Sequence, residues 1–326
     1  MDWGSILNNT LASLLAPTTI AWALAAMGLA MHFGFTGLLN FGIAGFMSVG
    51  AYGYAIAILT FGLPWWLAMV IGMLAAVVLA LIMGIPTLRL RGDYLAIVTI
   101  AVAEILRLLF LTTAFEEYTG SADGLSGYNN GFRDANPFPP GDYGFGPFTY
   151  SAQALWVVLF GTILLVVVVL FLWALMRSPW GRVIKGIRED EDAIRALGKN
   201  VFSYKMQSLV IGGVFGALGG IVYALSANVN SGVYVTSLTF FVWTALLLGG
   251  AATIFGPVLG SVIFWVLQAF LTNFLPALTE VGVLPGISSQ QAATLRYILV
   301  GIGLMLIVIY RPQGILGDKR ELTFVK

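Results

Sequence analysis

Two residues of opposite charge, Glu104 and Arg107, lie in a stretch that is otherwise apolar and long enough to cross a membrane. At a spacing of three residues they share one face of a helix. There they either neutralise one another or belong to a functional site within the membrane. Mutual neutralisation is the preferred interpretation, because Arg107 lies near the outer end of the stretch and its side chain can extend towards the headgroups.

Small and polar side chains recur in two further apolar stretches that are rich in glycine. A helix that glycine interrupts can line a path for a solute, although small residues also favour close packing between helices. The candidate pathway residues outside the charged pair are Thr36, Asn40, Ser48, Tyr52, Trp243, Thr244 and Thr253. The only histidine, His32, has no carboxylate within a helical turn, so we expect an interfacial residue at the inner end of the first span rather than a proton relay.

Other kinds of chemistry find little support in the sequence. The chain has no cysteine and one histidine, which excludes disulfides, thiolate catalysis and a histidine metal cluster. An intramembrane enzyme would need paired acids or a Ser/Lys dyad within the spans, and we find none. The phosphate-binding pattern G-x-x-x-x-G-K-[ST] is also absent, so any ATP hydrolysis must lie on another chain and no cofactor is expected on this one.

The composition is that of a membrane protein. Of the 326 residues, 59% are hydrophobic and 10% are charged, and the mean hydropathy is +0.92. We therefore predict a single all-α polytopic membrane domain, residues 1–326, with broken or re-entrant helices. The net charge of +1 makes a nucleic-acid partner improbable. The N-terminus has no basic residue of the kind a signal peptide carries, so the first apolar segment is expected to remain as a span.

About nine spans, with eight to ten as the range, fit the pattern of apolar segments. They are residues 18–33, 38–60, 64–86, 94–113, 152–176, 206–225, two segments between 238 and 274 separated near 249–256, and 294–310. Thirteen of the sixteen Lys and Arg residues fall in three polar segments that nine spans place on one side. The positive-inside rule makes that side the cytoplasm, with the N-terminus outside and the C-terminus inside. Residues 114–151 then form an extracytoplasmic loop.

The longest charged segment, residues 177–205, holds seven of the sixteen Lys and Arg residues and four consecutive acids. Its centre, 183–197, is predicted to form one amphipathic helix of about three to four turns. On that helix Arg188 would stand four residues before Asp192, and Glu191 four before Arg195. The helix is either a passive surface connector, which spacing alone favours, or a docking element for a soluble partner. Its apolar positions are Ile184, Ile187, Ile194 and Leu197.

Five stretches, in this order, carry a resemblance to a known family. They are GFTGLLNFGIAGFMSVGAY (34–52), RLRGDYLAIVTIAVAEILR (89–107), SPWGRVIKGIREDEDAIRALGKNVFSYK (178–205), LLLGGAATIFGPVLG (246–260) and YRPQGILG (310–317). Together they span most of the chain. The sequence resembles the inner-membrane permeases of ABC importers for branched-chain amino acids, of the LivM type.

This resemblance implies a set of partners: a second, LivH-like permease subunit, two cytoplasmic ATPase subunits that bind the ATP, and a periplasmic substrate-binding protein. It also implies a place among the lipids of the bacterial cytoplasmic (inner) membrane. Segment 177–205 then becomes a cytoplasmic coupling loop, and the docking interpretation becomes the preferred one. The residues expected to act in coupling are Arg188, Glu191, Asp192, Ala193, Ile194 and Gly198. The resemblance implies the role for Asp192, Ala193, Ile194 and Gly198, which fit the coupling motif of such importers, and Arg188 and Glu191 join them through their spacing on the helix.

Two alternatives of function remain open at this point. A permease for urea or short amides would look very similar within the same family. A stand-alone secondary transporter is the less favoured alternative, because it predicts several buried acids along the pathway and only Glu104 clearly lies within a span.

Overall fold

The computed structural model describes residues 2–89, 92–280 and 288–317, and helices make up most of the chain. In order they are α1 (Trp3–Ala12), α2 (Pro17–Leu29), α3 (Ile43–Leu59), α4 (Trp65–Thr87), α5 (Gly92–Leu111), α6 (Glu116–Thr119), α7 (Asn130–Asp134), α8 (Ala152–Arg177), α9 (Pro179–Glu189), α10 (Glu191–Ala196), α11 (Val201–Ser226), α12 (Thr236–Gly249), α13 (Gly256–Glu280) and α14 (Ser289–Tyr310). A π-helical turn, Ala30–Phe35, extends α2. Short 3₁₀ turns cover Ser13–Leu15, Thr113–Phe115 and Gly146–Phe148. Strands β1 (Asp142–Tyr143) and β2 (Tyr150–Ser151) form a small antiparallel hairpin.

Seven helical segments within the described ranges are long and apolar enough to cross a membrane. They are Pro17–Phe35, Trp65–Thr87, Tyr94–Leu111, Ala152–Arg177, Val201–Ser226, Gly256–Thr279 and Gln290–Ile307. The apolar helices α3 and α12 are shorter. The chain is thus an all-α polytopic membrane protein, as predicted. Helices occur at all the predicted apolar segments, and the crossing of the membrane by the two short ones stays a prediction.

Helices α2 and α11 form the centre of the bundle and pack against each other through glycine. Their candidate spans are 89% and 78% buried within the chain, far more than those of the other helices. A Cβ atom on Gly28 would overlap the carbonyl oxygen of Gly212, and a Cβ on Gly212 would lie 2.5 Å from the carbonyl oxygen of Gly28. Only glycine at both positions allows the two backbones to approach this closely, as in other membrane helix pairs.

The helices are interrupted at both glycine-rich stretches. Residues 37–42, which follow the π-helical turn and Thr36, are not helical, and α3 begins only at Ile43. A second interruption separates α12 from α13 between Gly249 and Gly256. Gly37 adopts φ +75° and Gly250 adopts φ +114°, which is backbone geometry that residues with a Cβ rarely reach. The sequence places glycine where each helix must stop.

The segment between α5 and α8 is folded rather than extended. Phe132 of α7 is fully buried and packs against Trp65, Trp156 and Phe160, with ring centroids 5.3–5.5 Å away. Leu125 forms an isolated β-bridge with Val229, which joins this segment to the connection between α11 and α12. The predicted loop, residues 114–151, is therefore an ordered cap over one end of the bundle.

The prediction of one continuous helix over 183–197 is wrong. Helix α9 ends at Glu189, Asp190 is extended at φ −152° and ψ 101°, and α10 begins at Glu191. The Asp190 carboxylate accepts a hydrogen bond from the Ala193 backbone N–H at 3.0 Å and so caps α10. Acidic residues are unfavourable at a helix C-terminus and favourable at an N-terminus. The four consecutive acids therefore end one helix and start the next, which also removes Arg188 and Asp192 from a shared helical face.

The residues after α14 turn back towards α12. The helix ends before Arg311 and Pro312, as predicted. The backbone N–H groups of Ile315 and Leu316 then donate to the carbonyls of Leu248 and Gly249, at 2.9 and 3.0 Å. These carbonyls belong to the last turn of α12 and have no acceptor role within that helix. The sequence after α14 thus caps a helix that is distant in the chain.

Candidate functional site

The first candidate site is the interrupted region 36–42, named here the broken segment, which lies between the π-helical turn and α3. Non-helical backbone at membrane depth must find its hydrogen bonds within the protein. Asn40, with no exposed surface, makes three hydrogen bonds, and two of them satisfy backbone groups of this segment. Its Nδ2 donates to His32 Nδ1 at 2.9 Å, its Oδ1 accepts from the Gly42 N–H at 2.7 Å, and its carbonyl accepts from Trp243 Nε1 at 3.0 Å.

His32 is a buried structural partner of this segment, which corrects the expectation of an interfacial residue. It is fully buried, and its Nε2 lies 3.0 Å from the carbonyl oxygen of Leu209 on α11. A carbonyl only accepts, so Nε2 carries the proton and Nδ1 is left to accept from Asn40. The imidazole is therefore neutral, with a defined tautomer, and it connects the broken segment to the central helix α11.

Three hydroxyl groups from other helices support the same region. Thr36 Oγ1 lies 2.5 Å from Ser208 Oγ, and both hydroxyls contact the carbonyl oxygen of Met31. Thr99 Oγ1 on α5 accepts from the Phe41 N–H at 3.0 Å, and Thr239 Oγ1 on α12 accepts from the Ala44 N–H at 3.3 Å. Sequence reasoning missed Ser208, Thr99 and Thr239, because an isolated Ser or Thr in an apolar helix carries no signal of its own.

The structure brings only some of the predicted pathway residues together. Asn40 and Trp243 are directly bonded, and the Trp243 ring stacks on Phe41 with centroids 4.9 Å apart. Ser48 and Thr244 are buried and donate to carbonyls of their own helices, Gly45 and Phe240. Thr253 instead caps the start of α13, where it accepts from the Gly256 N–H at 3.0 Å. These last three residues serve local structure in this conformation.

The second candidate site is the ion pair of Glu104 and Arg107 on α5. The Arg107 Nη2 and Glu104 Oε1 atoms lie 2.5 Å apart, and Arg107 Nε contacts both carboxylate oxygens at 3.0 Å. Thr236 at the start of α12 donates to Glu104 at 3.4 Å. The Glu104 side chain nonetheless keeps 39% of its surface exposed and that of Arg107 keeps 21%. The predicted mutual neutralisation is present, on a helix face that this chain does not cover.

The third candidate site is the loop 177–205. The apolar side chains Ile184 and Ile187 of α9 are buried within the chain, at 0% and 4% exposure, and so are unavailable to a partner. Leu197, by contrast, is 72% exposed. The exposed surface of α10 comprises Asp192, Ala193, Arg195, Ala196 and Leu197. Arg195 pairs with Glu191 at 2.9 Å, as predicted, and with Asp192 at 2.8 Å, while Lys205 also binds Glu191.

Gly198 ends α10 in a left-handed conformation, φ +77°. Its N–H donates to Arg195 O at 3.0 Å and the Lys199 N–H donates to Ile194 O at 3.3 Å. This pair of bonds is a Schellman cap. No atom lies within 4 Å of the position that a Cβ on Gly198 would occupy. Backbone conformation, rather than crowding, is the reason for glycine at this position.

Arg188 links the loop to the membrane part of the chain. Its Nη1 donates to the carbonyl oxygen of Gly34 at 2.5 Å, in the π-helical turn that leads to the broken segment. A Cβ on Gly34 would overlap the carbonyl of Ala251, so the same turn also touches the connection between α12 and α13. The predicted coupling residue Arg188 thus points into the bundle, and Asp192 points away from it.

The described residues contain no cluster of three or more His, Cys, Asp or Glu side chains that could hold a metal ion.

Comparison with known proteins assigns the chain to a family. A family model described as "Branched-chain amino acid transport system / permease component" matches residues 11–309. The chain is 29% identical to the high-affinity branched-chain amino acid transport system permease protein LivM of Escherichia coli, over 94% of this chain and 70% of that protein. It is 26% identical to a probable LivM of Methanocaldococcus jannaschii, over 92% and 91%. The nucleoside ABC transporter permease protein NupC of Lactococcus lactis is 22% identical, over 89% of each chain. The chain therefore belongs to the family of branched-chain amino acid transport system permease components.

Proposed function

We propose that the chain is one of two permease subunits of an ATP-driven ABC importer in the cytoplasmic membrane, and that its cargo is a branched-chain amino acid. The observation that carries this proposal is the family match over residues 11–309, which includes all three candidate sites. The family consists of transport subunits rather than enzymes. We propose that ATP is bound and hydrolysed by two cytoplasmic ATPase subunits, that a substrate-binding protein delivers the cargo, and that this chain itself carries no cofactor.

The orientation we propose has nine spans, with the N-terminus outside and the C-terminus in the cytoplasm. The distribution of basic residues supports it. Helices α3 and α12 are short, yet each adjoins non-helical backbone that adds to its reach: the broken segment before α3 and the connection after α12. In this orientation residues 114–151 cover the outer end and loop 177–205 lies in the cytoplasm.

Loop 177–205 is the proposed docking site for an ATPase subunit. The surface available to the ATPase is α10 together with Leu197, because Ile184 and Ile187 of α9 are buried inside the permease. A movement of α10 would be transmitted to the membrane helices by the hydrogen bond from Arg188 to the Gly34 carbonyl, which lies next to the broken segment. The amphipathic α9 packs on the bundle through its apolar face, and α10 is the helix that contacts the ATPase subunit.

The exposed face of α5 is the proposed contact with the second, LivH-like permease. Only 17% of the α5 span is buried within this chain. An ion pair that faced hydrocarbon with 39% of a glutamate exposed would be costly. A second subunit, with a water-filled pathway between the two, removes that cost. This arrangement would place Glu104 and Arg107 beside the cargo.

A nucleoside is the second candidate cargo, because one relative is a nucleoside permease with coverage of 89% of both chains. The test is uptake into liposomes that contain the complete transporter, with its binding protein and ATP. We expect uptake of labelled leucine, isoleucine or valine, and none of a nucleoside or urea. Uptake of a nucleoside or urea without the amino acids would refute the proposed cargo.

A further inference from the structure

Five buried hydroxyl groups have no hydrogen-bond partner among the described residues: those of Tyr52, Tyr150, Ser231, Tyr234 and Ser261. Three of them, on Tyr52, Ser231 and Tyr234, lie together. The residues are 1%, 0% and 2% exposed. A buried hydroxyl without a partner has lost its bonds to water and gained nothing in exchange. Folded proteins contain few such groups, and each one calls for an explanation.

These three hydroxyls are neighbours. Tyr52, on α3, lies within hydrogen-bonding range of Ser231, in the connection between α11 and α12, although no well-aligned bond joins them. Tyr234 lies three residues further along that connection, and its N–H donates to the Ser231 carbonyl at 3.2 Å. Its hydroxyl also interacts electrostatically with that of Tyr52. Burial raises the pKa of Tyr234, so its hydroxyl keeps its proton and remains able to donate. Three groups that can each donate and accept thus share one site.

The neighbouring Tyr128 shows what a purely structural tyrosine does in this region. It is equally buried, at 2% exposure, and its hydroxyl donates to the carbonyls of Ala224 and Ala227 at 2.9 and 2.7 Å. Those carbonyls lie at the end of α11, which the hydroxyl caps. The hydroxyls of Tyr52, Ser231 and Tyr234, by contrast, cap no helix and make no hydrogen bond to the described residues.

The same end of the bundle holds the ion pair on α5. The Tyr52 ring stacks on Phe110, with centroids 4.1 Å apart, and Phe110 lies one helical turn beyond Arg107. Thr236, two residues after Tyr234, contacts the Glu104 carboxylate. The three hydroxyls and the ion pair therefore lie at the same end of the bundle, where α3, α5 and the start of α12 meet.

We propose that Tyr52, Ser231 and Tyr234 form a transit site for the ammonium and carboxylate groups of an amino acid. This inference rests on the proposed function, because the cargo must be a zwitterion. Hydroxyls can accept from the ammonium and donate to the carboxylate, and they bind either group more weakly than a full charge does. A weak site suits a pathway from which the cargo must leave again. The closed arrangement buries the hydroxyls, and the passing amino acid supplies their partners.

The test compares Tyr52→Phe, Ser231→Ala and Tyr234→Phe with Tyr128→Phe in the reconstituted transporter. Removing an unpaired hydroxyl leaves no group stranded, so the first three variants should keep or raise the Tm of the wild type. Their leucine uptake should fall by roughly five- to tenfold each, as expected for one lost hydrogen bond to the cargo. Stimulation of ATP hydrolysis by the loaded binding protein should persist. Tyr128→Phe should lower Tm and leave uptake per folded transporter unchanged.

Unchanged uptake in all three variants would overturn the transit site while leaving the proposed function intact. A drop in Tm that parallels the drop in uptake would also overturn it, because the hydroxyls would then be structural. Failure of the wild type to take up any branched-chain amino acid would instead refute the proposed function itself.

Discussion

Asn40→Ala is the substitution that best tests how the broken segment is held. It removes the carboxamide that donates to His32 Nδ1 and accepts from the Gly42 N–H, and leaves the bond from Trp243 to the backbone carbonyl in place. Each of the two stranded groups is buried and costs roughly 1–3 kcal/mol, so the free energy of unfolding should fall by roughly 2–6 kcal/mol. Hydrogen bonds between membrane helices average only about 0.6 kcal/mol when alternative partners exist. The cost of roughly 1–3 kcal/mol for each stranded group applies here, because no water or other polar group can replace the lost carboxamide at a position with no exposed surface.

Ser48→Ala is the matched control. Ser48 is as buried as Asn40, at 1% exposure, but its hydroxyl donates to the Gly45 carbonyl within its own helix. Its loss strands no donor and should cost less than about 1 kcal/mol. Thermal unfolding of both variants in detergent, followed by fluorescence-detected size-exclusion chromatography, gives the comparison. Equal unfolding temperatures for Asn40→Ala and Ser48→Ala would refute the account of the broken segment.

Two further predictions concern glycine. Gly198→Ala should weaken the coupling of ATP hydrolysis to uptake, because alanine in the left-handed conformation of Gly198 costs about 1–2 kcal/mol. Gly198→Asn should retain the coupling, because asparagine tolerates that conformation. Equal ratios of uptake to ATP hydrolysis in the two variants would contradict this prediction. Gly212→Ala should destabilise the chain by forcing α2 and α11 apart, whereas Gly303→Ala on α14, with no described atom within 4 Å of the new Cβ, should be neutral or stabilising by up to about 1 kcal/mol. Similar unfolding temperatures for this second pair would show that the close helix approach is dispensable.

The fold class followed from composition, and the positions of most helices followed from the spacing of apolar segments. Gly37, Gly250 and Pro312 marked where helices stop, because their effect on the backbone is local. The break at Asp190 was missed because helical periodicity continues across it. Only the preference of acids for a helix N-terminus reveals that break.

The candidate sites were harder to predict, because burial depends on which helices meet. Asn40 and Trp243 were both identified as polar residues near breaks, but their contact joins positions 203 residues apart. His32 looked interfacial because its partners, Asn40 and the Leu209 carbonyl, are not carboxylates in its own helix. Ser231 and Tyr234 lie in a short connection with no motif, so only the structure brings them to Tyr52.

Photo-cross-linking tests directly whether α10 docks on an ATPase subunit. The natural chain has no cysteine, so Leu197→Cys introduces a unique thiol for a benzophenone maleimide. Leu197 is 72% exposed on the proposed cytoplasmic face, and Phe145, at 79%, supplies the matched Phe145→Cys control on the proposed outer face. With the ATPase subunits co-expressed, we expect a covalent product between them and Leu197→Cys, and none between them and Phe145→Cys. A product from Phe145→Cys, with none from Leu197→Cys, would contradict this expectation.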